Sequence, residues 1–250
     1  GASLTLSTST SSPGDTIRCT ATATDPDGGT DSDSASVTVD NTAPVLTSVS
    51  ISPSTGVTTS TTLSCSATAT DDDGDTPTIS YAWANATDGT SLGTGASLTL
   101  SASTSSPDDS ISCTATATDA DGGTDSDSDS VTVGNTAPEV TSVSIVPSTG
   151  VTSSTTLTCT ATATDDDGDV PTLTYLWTND DLGDVLGTGT TVDLDPAYAQ
   201  PGETISCTVT ATDTDGGTDS GSDSVTVGNT APVITSVSIT PSTGVSTATT

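Results

Sequence analysis

The sequence contains no histidine, lysine, phenylalanine or methionine, and its only basic residue is Arg18. Without histidine and lysine, the chain lacks the side chains that most often serve as general bases, Schiff-base amines and phosphate ligands. Its 33 acidic residues bring the net charge to −32, which disfavours contact with nucleic acid or an anionic membrane surface. We therefore expect neither an enzyme nor a nucleic-acid-binding protein.

Apolar residues are also scarce, at 30% of the chain, with two tryptophans and three tyrosines as the only aromatic residues. No apolar run approaches the ~20 residues that span a bilayer, so we expect no direct membrane insertion of this segment. Low hydrophobicity with high charge is typical of disorder. The regular spacing of cysteine and tryptophan, together with two-residue alternation, instead favours a folded chain with a thin core.

The five cysteines show that the chain is a tandem repeat. Cys19, Cys65, Cys113, Cys159 and Cys207 are separated by 46, 48, 46 and 48 residues, which is a period of 94. A unit of this length is too long for a solenoid repeat and suits a small independent domain. We predict the back half of a domain in 1–40, complete domains in 41–134 and 135–228, and the first strand of another in 229–250. Because residue 1 already lies inside a repeat, we expect the sequence to be a window from a longer chain.

Apolar residues alternate with serine, threonine and aspartate, which predicts an all-β fold of strands with one buried face. In the central repeat, strands are expected at Leu46–Ser52, Leu63–Ala69, Thr78–Trp83, Ala96–Ser101, Ile111–Ala117 and Ser130–Val133. About seven strands, with cysteine on the second and penultimate and tryptophan on the third, match the immunoglobulin-like sandwich. Trp83 and Trp177, each 18 residues after a cysteine, are the expected core residues.

That match predicts the disulfides Cys65–Cys113 and Cys159–Cys207, with Cys19 paired to a cysteine before residue 1. An alternative joins Cys19 to Cys65 and Cys113 to Cys159, which would cross a linker between domains. In a chain with so little apolar area, cysteine is more natural as a cross-link than as a catalytic or zinc-binding residue. Disulfides indicate an oxidising location, either extracellular or at the cell surface.

Several strings resemble a known family. The run NTAPVLTSVSISPSTG from Asn41, the run LSCSATATDDDGD around Cys65 and the run SCTATATDADGGTDS around Cys113 look like the tandem PKD-like or bacterial Ig-like repeats of large secreted and cell-surface proteins. The resemblance implies an extended rod of sandwiches that serves in stalks, adhesins or filaments and not as an enzyme. The expected partners are neighbouring repeats and identical chains in a filament. The paired cysteines depart from many PKD-type repeats.

Aspartates concentrate in two predicted loops of each repeat, which share one pole of an Ig-like sandwich with the linker 40–44. Calcium takes six to eight oxygen ligands at ~2.3–2.6 Å, so we predict a calcium ion at each junction between domains. The alternative is ordinary turn chemistry in an acidic loop, or adaptation to salt. The candidate ligands are Asp71, Asp73, Asp75, Asp119, Asp121, Asp165, Asp167, Asp169, Asp213 and Asp215.

Carbohydrate is the remaining expected modification or ligand. Asn85-Ala86-Thr87 is an N-glycosylation sequon, which makes Asn85 a candidate glycosylation site. As the function we predict a structural stalk or filament, stapled by disulfides and stiffened by calcium. The alternative is an adhesin module that recognises a glycan or a protein, most naturally through residues 178–203, where the repeats differ most and Tyr198 has no counterpart.

Overall fold

The computed structural model describes residues 2–240, 242–244 and 246–247, and every regular element among them is a β-strand. Contacts between Cα atoms divide the chain into two units. Unit 1 comprises Gly1–Ala137, Asp165–Val170 and Thr214–Gly217; unit 2 comprises Pro138–Thr164, Pro171–Asp213 and Thr218–Thr250. Within the described ranges, no helix has the length and apolar character needed to cross a membrane.

Unit 1 begins with an antiparallel hairpin formed by β1 (Thr16–Thr24) and β2 (Thr30–Thr38). Nearly every side chain in both strands is exposed. Gly28 lies in the turn at a φ of +90°, a backbone conformation that glycine adopts without steric cost. The hairpin therefore has the pairing of a sheet without a core of its own.

The rest of unit 1 contains a complete two-sheet sandwich, here called sandwich 1. One sheet has three strands in the order β3-β4-β7, and the other has four in the order β6-β5-β8-β9. The strands are β3 (Val45–Ser52), β4 (Thr62–Thr70), β5 (Thr78–Asn85), β6 (Thr90–Thr94), β7 (Ser97–Thr99), β8 (Ser110–Thr118) and β9 (Thr124–Thr132). All pairings are antiparallel, as expected for an immunoglobulin-like sandwich.

Unit 2 contains a second sandwich, here called sandwich 2, with the same strand order. Its sheets run β10-β11-β14 and β13-β12-β15-β16. The strands are β10 (Glu139–Val146), β11 (Thr156–Thr164), β12 (Thr172–Asn179), β13 (Asp184–Thr188), β14 (Thr191–Asp193), β15 (Thr204–Thr212) and β16 (Thr218–Thr226). The prediction of an all-β immunoglobulin-like fold is therefore confirmed.

Alternation along the strands builds each thin core. On β8, the buried residues are Ile111, Cys113, Ala115 and Ala117, and hydroxylated residues stand between them. The core of sandwich 1 is completed by Trp83 and Leu63, at 1% and 0% exposure. Burying a leucine or isoleucine side chain stabilises a fold by about 1.5–3 kcal/mol, so a handful of large residues carries most of the apolar contribution.

Three expectations about strands differ from the structure. Strand β6 was not predicted, because TSLGT holds one large apolar residue and Gly93 lies beside a bulge in the pairing with β5. The last strand of sandwich 1 begins at Thr124 and not at Ser130, so the aspartates that follow Thr124 lie on a strand and not in a loop. The described residues of 229–250 form no strand, although the first strand of another domain was expected there.

Candidate functional site

Each sandwich contains a disulfide between its two sheets. Cys65 is bonded to Cys113 and Cys159 to Cys207, with Cα–Cα distances of 6.5 Å in both bridges. All four cysteines are buried, whereas Cys19 on β1 is exposed and forms no disulfide with another cysteine of the described residues. The bridges therefore join β4 to β8 and β11 to β15 within single sandwiches, as the immunoglobulin match predicts and the alternative pairing does not.

A tryptophan packs into the same core. Trp83 lies opposite Cys113 in the pairing of β5 with β8, and its Nε1 donates a 2.9 Å hydrogen bond to the carbonyl oxygen of Gly95. Trp177 repeats the arrangement opposite Cys207, with a 3.0 Å bond to Gly189. Because its one polar atom is satisfied, the indole can be buried without an unpaired donor.

The two acidic loops of sandwich 1 hold the linker before it. Asp119 accepts a 3.0 Å hydrogen bond at Oδ2 from Nδ2 of Asn41, and Asp73 accepts one of 2.6 Å at Oδ2 from the backbone amide of Thr42. A Cβ on Gly123 would lie 3.0 Å from the Cα of Ala43, so only glycine permits this approach. The expectation that the linker arrives beside both loops is confirmed.

The same carboxylates shape their own loops. The Oδ1 of Asp71 accepts from the amide of Asp73 at 2.8 Å, and the Oδ1 of Asp119 accepts from Asp121 at 3.0 Å and from Gly123 at 2.7 Å. Such short-range bonds from backbone to aspartate are ordinary turn chemistry. Part of the acidic pattern therefore serves the backbone.

Electrostatics divide the acidic residues into two kinds. The hydrogen bond from Asn41 has the largest effect on Asp119, and with backbone amides it holds the pKa of that carboxyl below its ordinary value despite burial. For Asp75, burial and then repulsion from Asp71, Asp121, Asp119 and Asp73 raise the pKa. Asp75 therefore lies among four other carboxylates, whose negative charges disfavour its own ionised form.

A calcium site in these loops would have to use the carboxylate oxygens that are not already bonded within the protein. The Oδ2 of Asp71 is buried and accepts no hydrogen bond. Across the described residues, however, no three acidic, histidine or cysteine side chains converge closely enough to hold a metal ion. Asp73 and Asp119 use their Oδ2 oxygens to hold the linker, so Asp71, whose Oδ2 is not used in this way, Asp75 and Asp121 are the better candidates for a cation.

The corresponding aspartates of the second repeat are also engaged. Within unit 1, Asp167 accepts from the Oγ1 of Thr59 at 2.7 Å and from the amide of Thr136 at 2.6 Å, while its own amide donates to Asp165. Asp169 accepts from the Oγ1 of Thr214, which also lies 3.5 Å from a carboxylate oxygen of Asp215. Both carboxylate oxygens of Asp167 therefore accept hydrogen bonds within the protein. In unit 2, Asp213 is buried, at 7% exposure.

Two aspartates that were not predicted as functional close an edge of each sandwich. Asp125 and Asp129, on β9, accept at Oδ2 from the backbone amides of Leu46 and Ile51 on β3, at 2.8 and 2.9 Å. In sandwich 2, Asp219 and Asp223 accept in the same way from Val140 and Ile145. Two aspartates four residues apart on the last strand, in TDSDSDS and in TDSGSDS, are the sequence signal for these bonds. These side chains satisfy amides that a sheet edge otherwise leaves open.

Asn85 lies inside the fold. Its side chain is 2% exposed, and Nδ2 donates a 2.7 Å hydrogen bond to Asp109. Asn179 occupies the same place in sandwich 2, at 0% exposure, with a 2.7 Å bond to Glu203. A sugar on Nδ2 of Asn85 would break this hydrogen bond and would not fit inside the folded sandwich. The geometry therefore favours a structural role for Asn85 over glycosylation.

No protein-family model and no curated protein matches the chain. Among solved structures, it is similar to the tetra-tandem repeat in the extending region of a large adhesion protein and to a Ca²⁺-stabilized adhesin that helps an Antarctic bacterium bind ice. Each match has 21% identity and a TM-score of 0.32 and covers 85% of this chain, which spans only 56% of the other. The amphioxus IgVJ-C2 molecule has 18% identity and a TM-score of 0.33, over 67% of this chain and 96% of that one. Similarity at this level does not assign the chain to a family.

Proposed function

We propose that this chain is a structural repeat region of an extracellular surface protein, of the PKD-like or bacterial Ig-like kind, and that it serves as a stalk or filament. Each 94-residue repeat, 41–134 and 135–228, would be one sandwich, with parts of two further repeats in 1–40 and 229–250. Neighbouring repeats are the first partners, and identical chains in a filament are the second. The proposal assigns no catalytic role and no nucleic-acid partner.

The observation that carries this proposal is the buried disulfide that repeats in each sandwich. Cys65–Cys113 and Cys159–Cys207 close loops of the same length, at a sequence separation of 48, around cores with few large side chains. A cross-link stabilises a fold mainly by restricting the unfolded chain, which matters most where apolar burial is small. It also limits how far a sandwich can extend when the chain is pulled.

Single-molecule force spectroscopy on the 250-residue chain tests the mechanical role. With the bridge intact, the segment from Cys65 to Cys113, a sequence separation of 48, cannot extend. Reduction should therefore lengthen each unfolding step by about 160–170 Å, at ~3.3–3.6 Å per residue. A chain that shows no separate unfolding steps, or equal steps before and after reduction, would contradict a stapled mechanical repeat.

Calcium is the finer part of the proposal. The buried Oδ2 of Asp71, which accepts no hydrogen bond, and the raised pKa of Asp75 both favour a cation at this pole. Asp71, Asp75 and Asp121 would hold the ion, with Asp165, Asp169 and Asp215 as the corresponding residues one repeat later. A bound cation supplies positive charge that offsets repulsion among carboxylates.

Thermal melting of the whole chain, with calcium and with a chelator, tests the cation. Calcium should raise the Tm and release heat on titration, and Asp71→Asn should remove most of that gain. Asp127→Asn is the matched control, because Asp127 is exposed on β9 and its loss should leave the gain unchanged. An unchanged Tm with no heat of binding would remove calcium from the proposal and leave the mechanical role standing.

A further inference from the structure

Sandwich 2 carries an open cavity that the structural role does not use. The cavity, of about 150 Å³, lies entirely within unit 2 and is lined by Val185, Leu186, Asp193, Asp195, Tyr198 and Ala199. We call it the Tyr198 pocket. It opens where β13, which ends its four-stranded sheet, lies near β14 of the other sheet, so the rim includes an unpaired strand edge.

The same place in sandwich 1 has different side chains on the same backbone. Val185, Asp193, Asp195, Tyr198 and Ala199 correspond to Ser91, Thr99, Ser101, Thr104 and Ser105 at the 94-residue period. The turn is unchanged, because the amide of Tyr198 bonds to the carbonyl of Asp195 at 2.9 Å and that of Thr104 to Ser101 at 2.9 Å. The main-chain turn therefore does not require the apolar and aromatic replacements. The two new carboxylates each accept one hydrogen bond within sandwich 2, Asp193 at Oδ1 from Oγ1 of Thr156 and Asp195 at Oδ1 from the amide of Ala197.

The replacements also leave apolar surface in water. Tyr198 is 58% exposed and Val185 is 64% exposed, and the nearby Leu182 is 54% exposed. The backbone carbonyl of Tyr198 accepts a 2.9 Å bond from Asn179, so the main chain of this residue, and not its ring, holds the turn. Val185 and Tyr198 line the same cavity, and exposed apolar side chains that lie together on a small domain indicate a contact surface.

We propose that the Tyr198 pocket binds an arginine or lysine side chain presented by an extended basic peptide of another protein. Val185, Leu186 and Ala199 suit the methylene stem of such a side chain. The Oδ2 oxygens of Asp193 and Asp195 pair with its charge while their Oδ1 oxygens hold Thr156 and Ala197, and the ring of Tyr198 provides a cation–π surface. The open edge of β13 allows the peptide backbone to add as a further strand.

Charge decides between this occupant and the others. A neutral sugar can hydrogen-bond to hydroxyls such as those of Thr99 and Ser101 as well as to the carboxylates of Asp193 and Asp195, whereas a cation also gains an ion pair from the carboxylates. A second copy of this segment would bring a further net charge of −32, and its single basic residue, Arg18, is bonded to Ser34 on β2. Exchanging two hydroxyls for two carboxylates favours a cation. This site does not depend on the mechanical role.

The test measures binding of a fluorescein-labelled octapeptide that alternates arginine with valine, at low and at physiological salt, to the whole chain. A peptide with citrulline in place of arginine keeps the shape and removes the charge. The variants are Tyr198→Thr and the pair Asp193→Thr with Asp195→Ser, which install the side chains that sandwich 1 already tolerates. The matched control removes two exposed charges from the hairpin, Asp27→Asn with Asp31→Asn.

We expect binding of the arginine peptide that weakens with salt, and none of the citrulline peptide. Each pocket variant should lose about ten-fold in affinity, equivalent to ~1.4 kcal/mol, and the control should lose less than about two-fold. An equal loss of affinity in the control would show that the peptide is attracted by the net negative charge of the chain and not by the pocket, and would overturn the site. Binding of a neutral chitin or maltose oligosaccharide that depends on Tyr198 would overturn it in favour of a glycan site, and no binding of either would overturn it outright.

Discussion

The backbone amide of Ile51 donates a 2.9 Å hydrogen bond to Oδ2 of Asp129, so a side chain of one sheet completes an edge strand of the other. The second sandwich has the same bond between Ile145 and Asp223. β3 is an edge strand, so the carboxylate of Asp129 accepts the hydrogen bond that the carbonyl of a neighbouring strand would otherwise accept. Much of the acidity along the last strand is therefore structural.

Substitution of Asp129 by alanine should destabilise sandwich 1 by about 1–3 kcal/mol, because a part-buried backbone amide loses its charged acceptor. Urea unfolding followed by tryptophan fluorescence measures the loss. Asp127→Ala is the control on the same strand, since Asp127 is exposed and should change stability by less than ~0.5 kcal/mol. Equal effects of the two substitutions would mean that the loss comes from net charge and not from the bond to Ile51.

Removal of the first disulfide by Cys65→Ala with Cys113→Ala should cost about 2–4 kcal/mol, as expected for a bridge that closes a loop of this length. The second sandwich keeps its own bridge and serves as an internal reference in the same sample. Calorimetry should then show one transition moved to lower temperature and the other unmoved. Two transitions that move together would show that the sandwiches do not unfold independently.

Asp75→Asn should stabilise the chain at neutral pH in the presence of a chelator. Because the folded-state pKa of Asp75 is raised, its ionised form opposes folding, and this penalty disappears as the pH falls through the folded-state pKa. The gain in Tm should therefore be present at pH 7 and absent below about pH 4, where the carboxyl is protonated in both states. A loss of Tm at pH 7 would contradict the raised pKa.

Asp119→Ala should have the opposite pH dependence. The pKa of this carboxyl is lowered, chiefly by the hydrogen bond from Asn41, so ionised Asp119 stabilises the fold above the pKa of an unfolded aspartate. That stability is lost as the pH falls through the lower folded-state pKa. The Tm of the variant should trail that of the parent chain by several degrees at pH 7, and the gap should narrow below about pH 4. Asn41→Ala should reproduce part of the gap.

Period and alternation predicted most of the fold from local information. Leu63, Cys65 and Ala67 share one face of β4 because successive side chains of a strand point to opposite sides. The same alternation on β8 turns Cys113 toward the core. Strand β6 could not be predicted because its extended conformation depends on pairing with β5 and not on its own residue pattern. The sequon at Asn85 could not decide glycosylation for a related reason, since a local sequence motif does not show whether its side chain is buried.

The roles of the aspartates could not be assigned from their spacing. The pattern DDDGD specifies a turn with carboxylates, but the bonds from Thr42 to Asp73 and from Ile51 to Asp129 join residues 31 and 78 positions apart. Only chain folding brings such partners together. Repeat length, strand alternation and the sandwich class follow from the order of residues along the chain, because they rest on neighbours. Which carboxylate holds a backbone amide, and which remains for a cation or a partner, depends on distances across the sandwich.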